Sequence, residues 1–396
     1  MMKSIIKNGI LILPGEIEEN GYVVFEDGII TQIGKGRYTG QNPFDVIYDA
    51  DQDYISPGFI DMHTHGAGGY DFMDNTIEAY LGIAHKHAEH GTTSLVPTTL
   101  TSTMEELIKT FDIYEQAKKE NIKGADFLGL HLEGPYFSYN QRGAQDPKYL
   151  RNPEPEEYNE ILRRSNNIIR WSIAPELKGA LELGEVLKSK GILASIGHSD
   201  ALYDEVVKAH EHGYNHITHL YSCMSTITRR NAYRYVGVLE AAYMIDDMSV
   251  EIIADGIHVP QALLQYVCKF KPHNLIALCT DSMRAAGMPD GIYNIGSLTN
   301  GQKVIKEDGV AKLLDRSAFA GSVATSDLLV RTMIKLAGLS VHKAVQMMSY
   351  NPSRILGIDN KKGSLTVGKD ADIIIFDKNI DIQKTFVKGK MIYSKN

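Results

Sequence analysis

Cysteine is scarce in this chain: Cys223, Cys268 and Cys279 are the only three, with no CxxC pair and no even framework. A disulfide-built scaffold is therefore excluded, and a reducing compartment with the thiols as small packing residues is the expectation. No run of about 18 apolar residues occurs, so no membrane span is expected. The opening MMKSIIKNGILILPGE has too short an apolar run and too early a glutamate for a signal peptide, and the protein is expected in the cytoplasm. Repeats and low-complexity tracts are absent. No GxSxG elbow is present and no cysteine has a convincing histidine partner, which sets covalent catalysis aside. The glycine-rich HGAGGYDFMD lacks GKS/T and reads as a flexible loop at a site mouth rather than a phosphate loop. Net positive charge is also lacking. The formal charge of -8 argues against nucleic-acid or anionic-membrane partners, so an anionic substrate needs local positive contacts.

What is present suits a soluble globular protein: 396 residues, 43% hydrophobic and 23% charged, enough for one large domain and one small one. The two ends share a texture of short β-prone runs broken by turn residues, as in GYVVFEDGIITQIG and KTFVKGKMIYSK. Hairpin chemistry at Glu26-Asp27-Gly28 and Val387-Lys388-Gly389-Lys390 favours antiparallel strands. Residues 1–57 and 364–396 are therefore expected to form one small β-sandwich domain built from both termini. Residues 58–363 alternate strand and helix in eight units, which predicts an α/β fold with a TIM-like (β/α)8 barrel. An open doubly wound sheet is the alternative.

Most of the candidate barrel strands are apolar and finish in His, Glu or Asp, which a barrel gathers on one face. His63 and His65, two apart on a strand, point to the same side and can share an ion. His85 and His87 have the same spacing in a helical context, where the rings diverge, and are expected on the solvated surface. Glu133 closes the third strand, with His131 one layer deeper as a packing residue. His198 ends the fifth and His219 the sixth, while His216 reads as core or barrel wall. Asp255 and His258 end the seventh, Asp281 the eighth. Crowded buried histidines and carboxylates without a cation carry a large desolvation cost. The N and O donors suit zinc, with iron or manganese possible. A divalent ion lowers the pKa of water toward about 7, and Asp281 is placed to take that proton and return it to a leaving group.

PGFIDMHTHG, HLEGPY, GHSDA, THLYSCM, DGIHV and TDSMRAAGMPDG, in this order, resemble the amidohydrolase superfamily, and within it most closely the N-acetylglucosamine-6-phosphate deacetylases. The resemblance implies that Glu133, His198 and His219 hold a principal metal, and that His63 and His65 complete a second site. It implies Asp281 as catalytic acid and base, with His258 contacting the substrate and polarising the acetyl carbonyl. The implied reaction removes acetate from the 2-acetamido group of a sugar phosphate. A homodimer is also implied, with Arg229 or Arg230 reaching the neighbouring subunit's phosphate site. Three departures fall at substrate-binding positions: Ser222-Cys223 stands for Asn-Ala, Gln145 for His, and Arg284 for a small or apolar residue. They leave open a different N-acetyl sugar, phosphate position or N-acyl compound. Arg284 is the first candidate for an anion contact. WSIAPE offers no lysine at the end of strand four, which argues against the carboxylated-lysine centre of cyclic amidases. A non-catalytic scaffold is disfavoured because the donor residues are all kept.

Overall fold

A computed structural model describes residues 2–40 and 43–395. The middle of the chain lays down eight short barrel strands: Phe59–Thr64, Thr92–Pro97, Leu130–Glu133 (preceded by the short Asp126–Phe127), Ile168–Ile173, Leu193–Ile196, Tyr214–Ile217, Ser249–Ile252 and Ile276–Leu278. Strands three to eight pair in parallel as one six-stranded arc, while the first and second pair with Asp126–Phe127 in another. The arcs meet through a parallel bridge between Thr98 and His131. On the other side Asp281 N–H donates to His63 O (2.9 Å) and His65 N–H to Ser282 O (2.8 Å). These contacts join strand eight back to strand one, so the ring closes as the alternation predicts.

Helices between the strands bury one stripe each. In Ile77–Glu89 the buried residues are Ala79, Tyr80, Ile83, Ala84, His87 and Ala88, the helical spacing that faces a core. His87 is thus inside, contrary to the surface expectation. Its Nε2 lies 3.0 Å from Thr64 Oγ1, and burial first, then nearby His90, lowers its pKa to about 3. His85 is exposed, as expected. The glycine-rich stretch is ordered as a hairpin, Gly66–Ala67 against Tyr70–Asp71, rather than left as a flexible loop.

Both chain ends contribute to one sheet. Its order runs Lys390–Ser394, Ile382–Val387, Ile373–Phe376, Tyr54–Pro57, Lys3–Leu13, Glu16–Glu26, Ile29–Lys35, with Val46–Asp49 on the flank of Lys3–Leu13. The seam is antiparallel, Ile373 opposite Pro57 and Ile375 opposite Ile55. Asp27-Gly28 and Lys388-Gly389 turn with positive φ at both central residues, as tight hairpins require. Two details differ from the sequence reading. The strands pair in one continuous sheet rather than two, and Val46–Asp49 and Tyr54–Pro57 run parallel to Lys3–Leu13. A buried cluster of Ile6, Val23, Phe25, Ile55, Ile373 and Phe386 draws on both termini.

A three-stranded antiparallel sheet follows strand eight: Gly291–Ile295, Gln302–Glu307 and Val310–Leu313. It is absent from the eight-unit reading, and it brings Ile295 and Phe319 to the barrel mouth.

Candidate metal centre and pocket

His63 and His65 reach the mouth from the first barrel strand, and Glu133, His198, His219 and Asp281 each from the end of another. His198, His219 and Asp281 lie just past their strands with φ of 50°, 30° and 47°. This left-handed backbone is uncommon for residues other than glycine and costs on the order of 1–3 kcal/mol each. It turns the side chains over the barrel axis. Glu133 Oε1 lies 3.4 Å from His198 Nε2 and 3.3 Å from His219 Nε2, and those two nitrogens are 3.2 Å apart. His63 Nε2 and His65 Nε2 sit 3.4 and 3.2 Å from Asp281 Oδ1, and each is 3.3 Å from a Glu133 oxygen. Glu133 stands between the two sets.

These spacings fit metal binding. Corners of a tetrahedron with bonds of about 2.1 Å lie about 3.4 Å apart. All four histidines turn Nδ1 to an acceptor: His63 to Glu251 Oε1 (2.8 Å), His65 to Thr98 O (3.3 Å), His198 to Gln141 O (2.8 Å) and His219 to Ser222 O (3.2 Å). Carbonyl and carboxylate oxygens only accept, so Nδ1 carries the proton and a neutral ring turns a bare Nε2 to the centre. Two such lone pairs facing each other at 3.2 Å call for a cation between them. His63 Nε2 is buried without a hydrogen-bond partner. Electrostatics agree: burial disfavours a charged His63, yet Asp281, Glu133 and Glu251 outweigh it and raise its pKa to about 9. Burial pushes Glu133 up, but His63, His198 and His219 hold it well below the usual carboxylate range. The site demands positive charge, and its donor groups suit one or two divalent ions.

A cavity of about 230 Å³ opens over this cluster, lined by His65, Glu133, Gln145, His198, His219, Tyr221, Ser222, Cys223, His258, Asp281, Ile295 and Phe319, among others. Ser222, Cys223, Gln145 and His258 thus meet where the sequence places a substrate. Asp255 fixes His258 by accepting from both its backbone N–H (2.7 Å) and Nδ1 (2.6 Å). The His258 ring lies 4.6 Å from that of Phe319. Among the described residues lining the cavity there is no Lys or Arg.

The Amidohydrolase family pattern matches residues 54–392. The chain belongs to the amidohydrolase family. It groups there with the N-acetylglucosamine-6-phosphate deacetylases: the Bacillus subtilis enzyme of that name is 33% identical over 98% of this chain and 97% of its own. The Escherichia coli O157:H7 N-acetylgalactosamine-6-phosphate deacetylase is 31% identical over 91% and 93%. Among solved structures, N-acetylglucosamine-6-phosphate deacetylase from Pasteurella multocida superposes with a TM-score of 0.92 at 26% identity, covering 100% of both chains. A mutant of the Mycobacterium smegmatis enzyme, in complex with N-acetyl-D-glucosamine-6-phosphate, gives 0.89 at 28% identity over 99% of each.

In this amidohydrolase, two of the expected anion contacts stand elsewhere. Arg284 is buried and spent: its guanidinium donates to Asp74 (2.7 and 2.9 Å), Gly69 O, Asn294 O and Gly296 O. It clips the Gly66–Asp71 hairpin to the inserted sheet and has no donor free for a substrate, which corrects the anion-site expectation. Arg230 lies on an exposed hairpin, Thr228–Arg230 against Tyr233–Tyr235, stacked on Tyr235. It does not line the cavity of its own chain. His131 is deeper, both nitrogens engaged by Thr98 and Ser172 hydroxyls. His216 lies in the core with Nδ1 on Ser249 Oγ. The sequence reading passed over Glu251 and Arg170, a fully buried pair joined at 2.6 and 2.9 Å beneath the donors. A glutamate inside the apolar VEIIADGIHV was the available signal.

Proposed function

We propose that this amidohydrolase removes acetate from the 2-acetamido group of an N-acetylhexosamine phosphate, N-acetylglucosamine 6-phosphate before others, leaving the amino sugar phosphate. The observation that carries the reading is the pair of donor sets sharing Glu133, with Asp281 against one of them, at the floor of a cavity that holds His258. Glu133, His198 and His219 form the principal metal set; His63, His65 and Asp281 form the second. Zinc suits these ligands best, with iron or manganese possible, and a bound ion would acidify water and polarise the amide carbonyl. Asp281 takes the water proton and delivers it to the sugar nitrogen as the C–N bond breaks, so water's oxygen ends in acetate. His258, held by Asp255, contacts the substrate and helps polarise the acetyl carbonyl. Gln145, Ser222 and Cys223 border the sugar.

With no cation in the lining, charge for the phosphate comes from outside. The exposed Arg229 and Arg230 hairpin would supply it to the neighbouring subunit of a homodimer. In this reading the chain works in the cytoplasm, where its three cysteines stay reduced; no described helix is long and apolar enough to cross a membrane. Residues 1–57 with 364–396 form the small β domain, and 58–363 the catalytic barrel. The galacto epimer is the second reading, because a relative named for it matches almost as well and Ser222 and Cys223 alter the pocket wall. Acetate release across N-acetylhexosamine 6-phosphates, 1-phosphates and unphosphorylated sugars tests the proposal. The gluco 6-phosphate should be fastest; a faster galacto epimer selects the second reading, and no release from any of them rejects both.

A further inference from the structure

Gln145 lies buried against the cavity wall with both ends of its amide occupied. The backbone N–H of Thr101 donates to Oε1 at 2.9 Å, and Nε2 donates to Glu133 Oε2 at 2.7 Å. Because a backbone N–H can only donate, Thr101 fixes which end of the amide is oxygen and turns the NH2 group toward Glu133. Glu133 Oε2 is thereby pinned, and Oε1 is left where three histidine Nε2 atoms lie within 3.3 to 3.4 Å. The same loop orients a second ligand: Gln141 O accepts from His198 Nδ1. The loop is itself anchored, since Ser138 Oγ, Asn140 Nδ2 and Gln141 Nε2 all donate to Asp200 at 2.9, 2.9 and 2.7 Å. Asp200 follows His198 by two residues. Loop and strand end therefore brace each other around two of the three principal donors.

We infer that Gln145 is a positioning residue for the metal centre. Through Glu133 it presets the Glu133–His198–His219 set for its ion. The His63–His65–Asp281 set is also held by Glu251 and Thr98 and meets Gln145 only through the shared Glu133, so its affinity should change less. The inference rests on the reading that Glu133, His198 and His219 hold a divalent ion. The amide keeps one N–H for the cavity, so the role adds to contact with substrate rather than replacing it.

The test is a titration of zinc into chelator-stripped protein, against a competing chromophoric chelator, with thermal unfolding of the same stripped samples. Gln145→Met keeps length and volume but removes donor and acceptor. Loss of an outer partner of this kind costs roughly 10–100-fold in metal affinity, and the loss should fall on the tighter ion with the melting temperature of the stripped protein little changed. Gln145→Asn keeps the amide but cannot span Thr101 and Glu133; it should show the same loss and carries the test should the Met variant not fold. A neutral imidazole has one acceptor and one donor nitrogen, so Gln145→His should restore most of the affinity. Met or Asn variants that bind the tighter ion within about twofold of the parent, well under the expected range, overturn the inference. A parent protein that takes up no ion instead overturns the metal-dependent reading on which it rests.

Discussion

Asp281 contacts both histidines of the second pair and lines the cavity. Asp281→Asn keeps the shape and removes the proton acceptor. Acetate release should fall by about 10²–10⁴-fold, the usual worth of a general base, while metal analysis still finds the principal ion. Near-parental activity would remove Asp281 from the mechanism. Arg284 carries a different expectation. Its buried pair with Asp74 makes Arg284→Ala a stability lesion of roughly 3–5 kcal/mol, because Asp74 is left uncompensated. Chemical denaturation should show that loss, while the ratio of KM for phosphorylated and unphosphorylated substrates stays constant. The fate of Arg284 was hidden in the sequence because its four partners are three backbone carbonyls and one carboxylate, drawn from two segments far apart in the chain. Gln145 was legible as a site residue from its motif, but its hold on Glu133 was not, since that depends on the folded position of Thr101.

At the scale of elements, the strand ends were the legible part. An apolar strand that stops at a histidine or carboxylate shows in the sequence, and six such ends converge here because parallel strands in a closed ring all finish on one face. His87 was also legible and was misread: Tyr80, Ile83, Ala84 and His87 already fall on one helical stripe. The inserted sheet repeats at Asp308-Gly309 the positive-φ turn of Asp27-Gly28, so its hairpin was written in the same chemistry. The exposed hairpin from Thr228 to Tyr235 has the clearest element-level consequence. Arg229→Ala with Arg230→Ala should raise KM for the 6-phosphate well above any change for the unphosphorylated sugar. Equal changes for both would place phosphate recognition elsewhere. Beneath the site, Glu251→Gln breaks the pair with Arg170 and loosens the support of His63. Leaving that arginine unpaired should cost about 3–5 kcal/mol by denaturant unfolding, and a loss below about 1 kcal/mol would assign the pair a surface-like worth.

For the whole molecule, the split sheet makes the two termini one folding problem. Tyr54–Pro57 has its antiparallel neighbour more than three hundred residues later, at Ile373–Phe376. Lys362, buried at the base of the barrel, pairs with Asp126 of the barrel and with Asp370 and Asp372 of the returning chain. Neither terminal half should fold alone, and deletion of 364–396 should leave aggregated protein rather than an active barrel. A soluble, active truncation would show that the barrel stands without its sheet.

The central claim is that divalent metal at the Glu133 cluster drives deacetylation of an amino sugar phosphate. Its most direct measurement is acetate release from N-acetylglucosamine 6-phosphate by chelator-stripped protein before and after stoichiometric zinc, iron or manganese. Stripped protein should be inactive, and one or two equivalents of ion per chain should restore hydrolysis. Full acetate release from protein verified to be metal-free would contradict the account.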